Sequence, residues 1–291
     1  TTNPEDISLL TSWRMMGTNL SSVILSAISP VIMHAIAGGE QFTTNSYTIT
    51  ILIFAICQVP MFYFVYANCK EVVKPVQTGR KITVGESIKS VVTNKPLMLI
   101  FAMMAAQMFG FFGRMGAVIY YIIYVVQRPD MISIFMSLPS ITTVIGIFLT
   151  KNFVLRFGKR KLIAIGYIGA GLSLIALYFV GTSNMPLLIF LHALYGFFCF
   201  AFPIPMSMIL EAINYQEDKT GIRADGVAYA AVSLSTKVGN AFGPALALII
   251  MGAFGYVANA KQTATAMNGI NLVTNLIFGI CYLIALIPLY F

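Results

Sequence analysis

The sequence predicts an all-α integral membrane bundle, on three observations. Of the 291 residues, 58% are hydrophobic and only 10% charged, with a mean hydropathy of +0.84, where a soluble domain carries roughly 25% charge. The apolar residues form unbroken runs of about 20, the length that crosses a bilayer as a helix, rather than the alternating segments of ~10 that build an outer-membrane barrel. The basic residues collect in alternate loops, as topology requires of a multipass chain.

Eight spans follow in order, at residues 18–38, 48–67, 97–126, 132–150, 161–181, 186–210, 226–255 and 268–291. The Asn68–Lys95 loop holds Lys70, Lys74, Arg80, Lys81, Lys89 and Lys95. The Lys151–Lys161 loop holds Lys151, Arg156, Lys159, Arg160 and Lys161, and the Glu211–Asp225 loop holds Lys219 and Arg223. The intervening loops hold no base, Arg128, no base and Lys261 in turn. Positive residues mark the cytoplasmic side, so these three loops and both ends of the chain are expected there. The net charge of +8 and isoelectric point near 9.3 are thereby explained without a nucleic-acid partner.

The Asn68–Lys95 loop is polar, and Val84–Thr93 within it predicts a short amphipathic helix on the membrane surface. Two spans precede this loop and six follow. The pattern reads as part of a transporter of two six-helix halves. Residues 1–67 are then the last two helices of one half, 68–95 the central cytoplasmic loop and 96–291 the other half. The opening Thr1-Thr2-Asn3-Pro4 reads as a loop entered mid-protein.

Chemistry is expected from charges at membrane depth. Lys237 lies in the run from Val227 to Gly255, where a cation costs at least ~2.5–3.5 kcal/mol and is normally kept for a wet cavity. Ser233 sits one turn back on the same face, and Thr236 is adjacent. Their hydroxyls suit a polyol, unless they bond back to helix carbonyls. Arg114, in Gly110-Phe-Phe-Gly113-Arg-Met-Gly116, is expected to face an anion or water, as a substrate contact or in an ion pair with a helix outside this chain. Arg14 stands at the entry to the first span, either snorkelling or pointing inward. Pro203 and Pro205 should break their helix, beside a Phe202 able to stack on a sugar ring or simply to pack. Glu211 is expected at a helix end near Lys219 or Arg223.

Other chemistries lack their residues. No HExxH, Walker A, GxSxG or CxxC pattern occurs, and His34 and His192 have no ligand-like neighbours. The sequence therefore predicts no enzyme and no cofactor. Cys57, Cys69, Cys199 and Cys281 have no metal or redox spacing and read as small hydrophobes. Gly239-Asn-Ala-Phe-Gly243 fits a close helix crossing inside the fold.

Several stretches resemble the glycoside–pentoside–hexuronide:cation symporters, the melibiose permease-like family of the major facilitator superfamily. They are Leu9-Leu-Thr-Ser-Trp-Arg14, Tyr120-Tyr121-Ile-Ile-Tyr124 with Pro129-Asp130, and Tyr215 to Tyr229 followed by Lys237-Val-Gly239 and Gly255-Tyr256. The resemblance implies a major-facilitator-type bundle seen from helix five to helix twelve. Its implied activity is symport of a small sugar or glycoside with Na+, Li+ or H+ by alternating access, in a monomeric transport unit surrounded by lipid. It places Lys237 near the sugar and cation sites with Ser233 and Thr236 beside it, matches Arg14 to a sugar-contacting arginine, and sets Phe202 near a pocket aromatic. It expects the cation-binding carboxylates on helices outside this chain. The family's Asp-x-x-Asp-Tyr reads Glu211-Ala-Ile-Asn214-Tyr215 here, which alters the expected salt-bridge network closing the cytoplasmic side. A lipid or lysolipid transporter on the same fold, with Lys237 and Arg114 clamping a headgroup, stays open at this point.

Overall fold

A computed structural model describes residues 13, 16–18, 20, 21, 24, 25, 28, 29, 31–33, 35–37, 44–69, 83–182, 184–258 and 260–291. The chain forms two compact units, one of Ser21–Ile82 and one of Thr1–Leu20 with Thr83–Phe291. Seven helices among the described residues are long and apolar enough to cross a membrane. The first expected span falls on partly described residues, and those described between Trp13 and Ile36 are all helical. Arg14, His34 and residues 70–82 of the central loop lie outside the described residues.

In the smaller unit, α1 (Thr44–Asn68) exposes nearly its whole apolar surface. In the larger unit, α2 (Val84–Thr93) is the expected amphipathic helix, started by a reciprocal capping box between Thr83 and Glu86. Its apolar residues are divided: Ile88 and Val92 stay exposed, as a surface helix requires, while Val91 turns inward. Val91 packs with Ile209, Ile213, Ala228 and Val232, which removes its apolar area from water. Asn94 closes the joint, accepting from the Leu97 N–H at 3.1 Å and donating to the Ala212 carbonyl at 2.8 Å.

The spanning helices follow as α3 (Lys95–Tyr120), extended by a π-helical turn at Tyr121–Val126, then α4 (Ile132–Phe157) and α5 (Lys159–Val180). Next come α6 (Met185–Phe198), α7 (Ile204–Thr220) and α8 (Asp225–Ala253). The last span runs through α9 (Ala264–Asn271), a π-helical turn at Leu272–Ile277, and α10 (Phe278–Ile284). Two expected loops are largely helix. α4 continues to Phe157 and stops only at Gly158, whose φ of 76° belongs to the left-handed region. α7 runs on to Thr220, so Glu211 sits mid-helix. Polar sequence at the headgroup level reads as loop, yet a helix keeps its backbone bonds satisfied there just as well.

α3 packs along α8, α6 against α4 and α5, and α10 bridges α3 and α5. The α3–α8 seam is built on small residues. A Cβ on Gly239 would meet Met108 backbone at 2.8 Å, and one on Gly243 would meet Gly113 at 2.7 Å. The Gly239–Gly243 pair thus makes the close crossing its spacing implies. The α6–α7 span breaks at Phe202–Pro203, as the two prolines require.

Candidate substrate site

Helix α8 has three faces, read at 3.6 residues per turn. Ala228, Val232, Gly239 and Gly243 are buried. Leu234, Val238 and Phe242 are exposed and apolar, with Leu234 62% and Phe242 63% accessible, as suits lipid. Between these faces Ser233, Thr236, Lys237 and Asn240 share an arc of about 100°. Lys237 and Asn240 are exposed. The stripe is polar, sits on an otherwise apolar span and is covered by neither α3 nor an apolar surround.

Lys237 makes no ion pair or hydrogen bond among the described residues. Ser233 is exposed and its hydroxyl makes no hydrogen bond among the described residues, whereas Thr236 bonds back to the Val232 carbonyl at 3.0 Å and Ser235 to Ala231 at 3.0 Å. One turn beyond, Pro244 lacks an N–H and so removes the helix bond to the Asn240 carbonyl. Lysine, free hydroxyl, asparagine amide and bared carbonyl then line one face: a cation, donors and acceptors suited to a polyol. Asn240, three residues from Lys237, was legible from spacing but absent from the expectations.

Arg114 is elsewhere. It is 4% exposed, inside the larger unit, and meets no acid among the described residues. Nη2 donates to Nδ1 of His192 at 2.9 Å, and the guanidinium lies 4.4 Å above the Tyr195 ring. The cause starts at Pro139 in α4, which has no N–H to give the Phe135 carbonyl. His192 Nε2–H supplies that donor at 2.8 Å, so Nδ1 of a neutral imidazole is left as the acceptor for Arg114. Thr143 Oγ1 donates to the Gly196 carbonyl at 2.6 Å, fixing α4 against α6 beside this chain of contacts. The expectation that Arg114 meets an anion or water is therefore corrected: a histidine lone pair and an aromatic face hold it. His192 was missed because 78 residues separate it from Arg114 and nothing local links them.

Phe202 sits at the helix break with its ring stacked on Tyr282, centroids 5.5 Å apart, and edge-on to Phe111 and Tyr167. One ring face is thus occupied by packing. The Tyr282 hydroxyl meets the Tyr195 hydroxyl at 3.1 Å, and Tyr167 donates to Gln107. Gln107 Nε2, Arg114 Nε, Thr274 Oγ1 and Asn275 Oδ1 are buried with no hydrogen-bond partner among the described residues.

At the end bearing the basic loops, Glu211 pairs with Lys159 rather than with Lys219 or Arg223. Arg223 is held by Glu217 and Asp225, each at 2.6 Å, and by Asn214 Oδ1 at 3.3 Å. The Asp225 hydrogen bond leads in pushing the Arg223 pKa further above its ordinary value. Asn214, at the position where the resemblance expects an acid, thus still joins the network as a neutral acceptor. Among the described residues no three of His, Cys, Asp or Glu gather so as to hold a metal ion.

Residues 1–291 match the family described as MFS/sugar transport protein. The chain belongs to that family. It is 28% identical over 276 residues to the isoprimeverose transporter of Lactiplantibacillus pentosus, covering 94% of this chain and 57% of that protein. It is 26% identical to a putative 2,3-dihydroxypropane-1-sulfonate exporter of Salmonella typhimurium, covering 93% and 59%. It is 27% identical to the putative glycoside/cation symporter YagG of Escherichia coli, covering 90% and 56%. The chain therefore spans somewhat less than two thirds of these relatives' length. A transport family, with no enzyme among these relatives, fits the lack of catalytic motifs.

Proposed function

We propose that this chain belongs to a secondary transporter that carries a small sugar or glycoside together with a monovalent cation, Na+, Li+ or H+, by alternating access. The observation carrying this reading is the unpaired Lys237 on the polar stripe of α8, flanked by Ser233 and Asn240. A cation left free on a membrane-spanning helix needs water or substrate, and the stripe supplies groups for hydroxyls. Lys237 and Ser233 contact the sugar in this reading, Thr236 shapes the wall, and Arg14 is a further contact. Phe202 borders the pocket with its unstacked ring face. Arg114 acts through position rather than contact, holding α3 to α6 by way of His192. Residues 96–291 form one six-helix half, 68–95 the central loop and 1–67 part of the other half. Both chain ends face the cytoplasm of a bacterial inner membrane, and the transport unit is a monomer.

The free charge of Lys237 favours a second reading of the cargo, an anionic sugar or polyol. Relatives named as a putative sulfonate exporter and putative sulfoquinovose importers agree with it. The experiment is uptake of a labelled neutral glycoside, a hexuronide and a sulfonated sugar in transport-deficient cells expressing the gene product that carries this chain. It is run with and without sodium, for wild type and Lys237→Gln. Cation-dependent uptake abolished by Lys237→Gln is expected. If only anionic cargo is taken up, the second reading replaces the first. No uptake of any sugar by well-expressed protein would overturn both.

A further inference from the structure

The larger unit carries a pocket that the transport stripe does not use. It has a volume of about 210 Å³ and lies where α3 and α5 begin and the chain reaches Phe291. Leu99, Ile100, Met103, Met208 and Leu289 form apolar walls, and Lys95 and Arg160 are the two charged residues lining it. Both cations are exposed, and neither has an ion pair among the described residues. By contrast the neighbouring Lys159 is taken by Glu211. No acid lines the pocket.

The placement of those two cations is informative. Each occupies the first turn of its helix, where the helix dipole already presents positive potential and a cation is disfavoured. The pocket mouth is thus doubly positive, and only an anion relieves it. The apolar walls exclude a freely hydrated ion as the natural occupant, since their burial is gained only if the ligand carries an apolar part.

Depth points the same way. Ile287, Tyr290 and Phe291 are 57%, 80% and 77% exposed next to the pocket. Exposed aromatics at the end of a span mark the headgroup level. α5 turns Ile165, Ile168, Leu172 and Phe179 outward, so this helix borders lipid. The pocket therefore lies at the basic-loop end of the spans, beside a helix with an exposed apolar face.

We propose that this pocket holds an anionic phospholipid, its phosphate between Lys95 and Arg160 and the start of an acyl chain against Leu99, Met103 and Met208. Basic pockets between helices on the positive-loop side recognise anionic headgroups in this way, each cation adding about a factor of five. The inference stands apart from the choice of cargo, because none of these residues lies on the polar stripe of α8.

The test titrates phosphatidylglycerol and phosphatidylcholine into delipidated, detergent-purified protein and counts bound lipid by native mass spectrometry. Wild type is expected to bind phosphatidylglycerol preferentially. Lys95→Gln with Arg160→Gln should weaken that binding about thirty-fold and leave phosphatidylcholine unchanged. Leu99→Trp fills the pocket without touching a charge and should weaken it as well. Arg156→Gln, an exposed cation outside the pocket, should not. Helical circular dichroism identifies any variant that fails to fold, and Leu99→Trp then carries the test. Equal binding of the two lipids, or phosphatidylglycerol binding unchanged in a folded pocket variant, overturns the proposal. Displacement of the lipid by an equal concentration of inorganic phosphate also overturns it, because the apolar walls would then contribute nothing.

Discussion

At the scale of single residues, the two intramembrane cations have opposite fates. Lys237 is exposed and unpaired, so its charge is available to cargo and its removal should spare the fold. Lys237→Gln is expected to keep the wild-type melting temperature while losing sugar uptake, measured side by side in purified protein and in cells. Arg114 is enclosed, and its guanidinium depends on an acceptor. His192→Phe removes the Nδ1 lone pair and the donor to the Phe135 carbonyl together, leaving both buried groups unsatisfied. Each such group costs about 1–3 kcal/mol. A clear fall in melting temperature is expected, with His192→Gln recovering part of it because its amide offers both an acceptor and a donor. Equal stability of His192→Phe and wild type would mean that Arg114 has another acceptor.

At the scale of elements, helix seams depend on what the backbones allow. The α3–α8 seam leaves no room for a side chain at Gly243, where the nearest obstacle is Gly113 backbone. Gly243→Val should therefore force the helices apart and destabilise by about 1–3 kcal/mol or more. Gly252, in the same helix with nothing within 4 Å of an added Cβ, is the control. Gly252→Ala is expected to raise stability by up to about 1 kcal/mol, since alanine loses less backbone entropy in a helix. Thr143→Val removes one hydrogen bond between α4 and α6 and should cost about 0.6 kcal/mol, the average for such bonds in a bilayer. Thermal denaturation in detergent measures all three.

For the whole molecule, symport is a coupling free energy between two ligands and must be reciprocal. If the proposed function holds, a coupling cation that tightens sugar binding by some factor is itself bound more tightly by that same factor when sugar is present. Isothermal titration of each ligand with and without the other, on the gene product that carries this chain, measures both sides. Unequal factors exclude a single coupled equilibrium, and factors of one exclude coupling.

Much of this protein is legible along the chain, because spans, charged loops and close-packing glycines are local properties. A run of apolar residues must become a helix in lipid, since no other span satisfies its own backbone. The boundaries of 159–180 and 225–253 lie close to those expected, and Gly239 and Gly243 perform the crossing their spacing indicates. Span count and loop charge pointed to a transporter of two six-helix halves, several stretches resembled one family of them, and helical periodicity set Ser233 on the face of Lys237 while Asn240 was overlooked. What required tertiary structure is every decision that joins distant residues. Arg114 reads in sequence as a site residue, and only the meeting of α3, α4 and α6 shows it held by His192, whose tautomer is set by a carbonyl that Pro139 left bare. Glu211 chose Lys159 over its sequence neighbours for the same reason. Sequence determines which groups a membrane makes expensive to leave alone; the packed helices decide which of them find partners, and therefore which remain free to act.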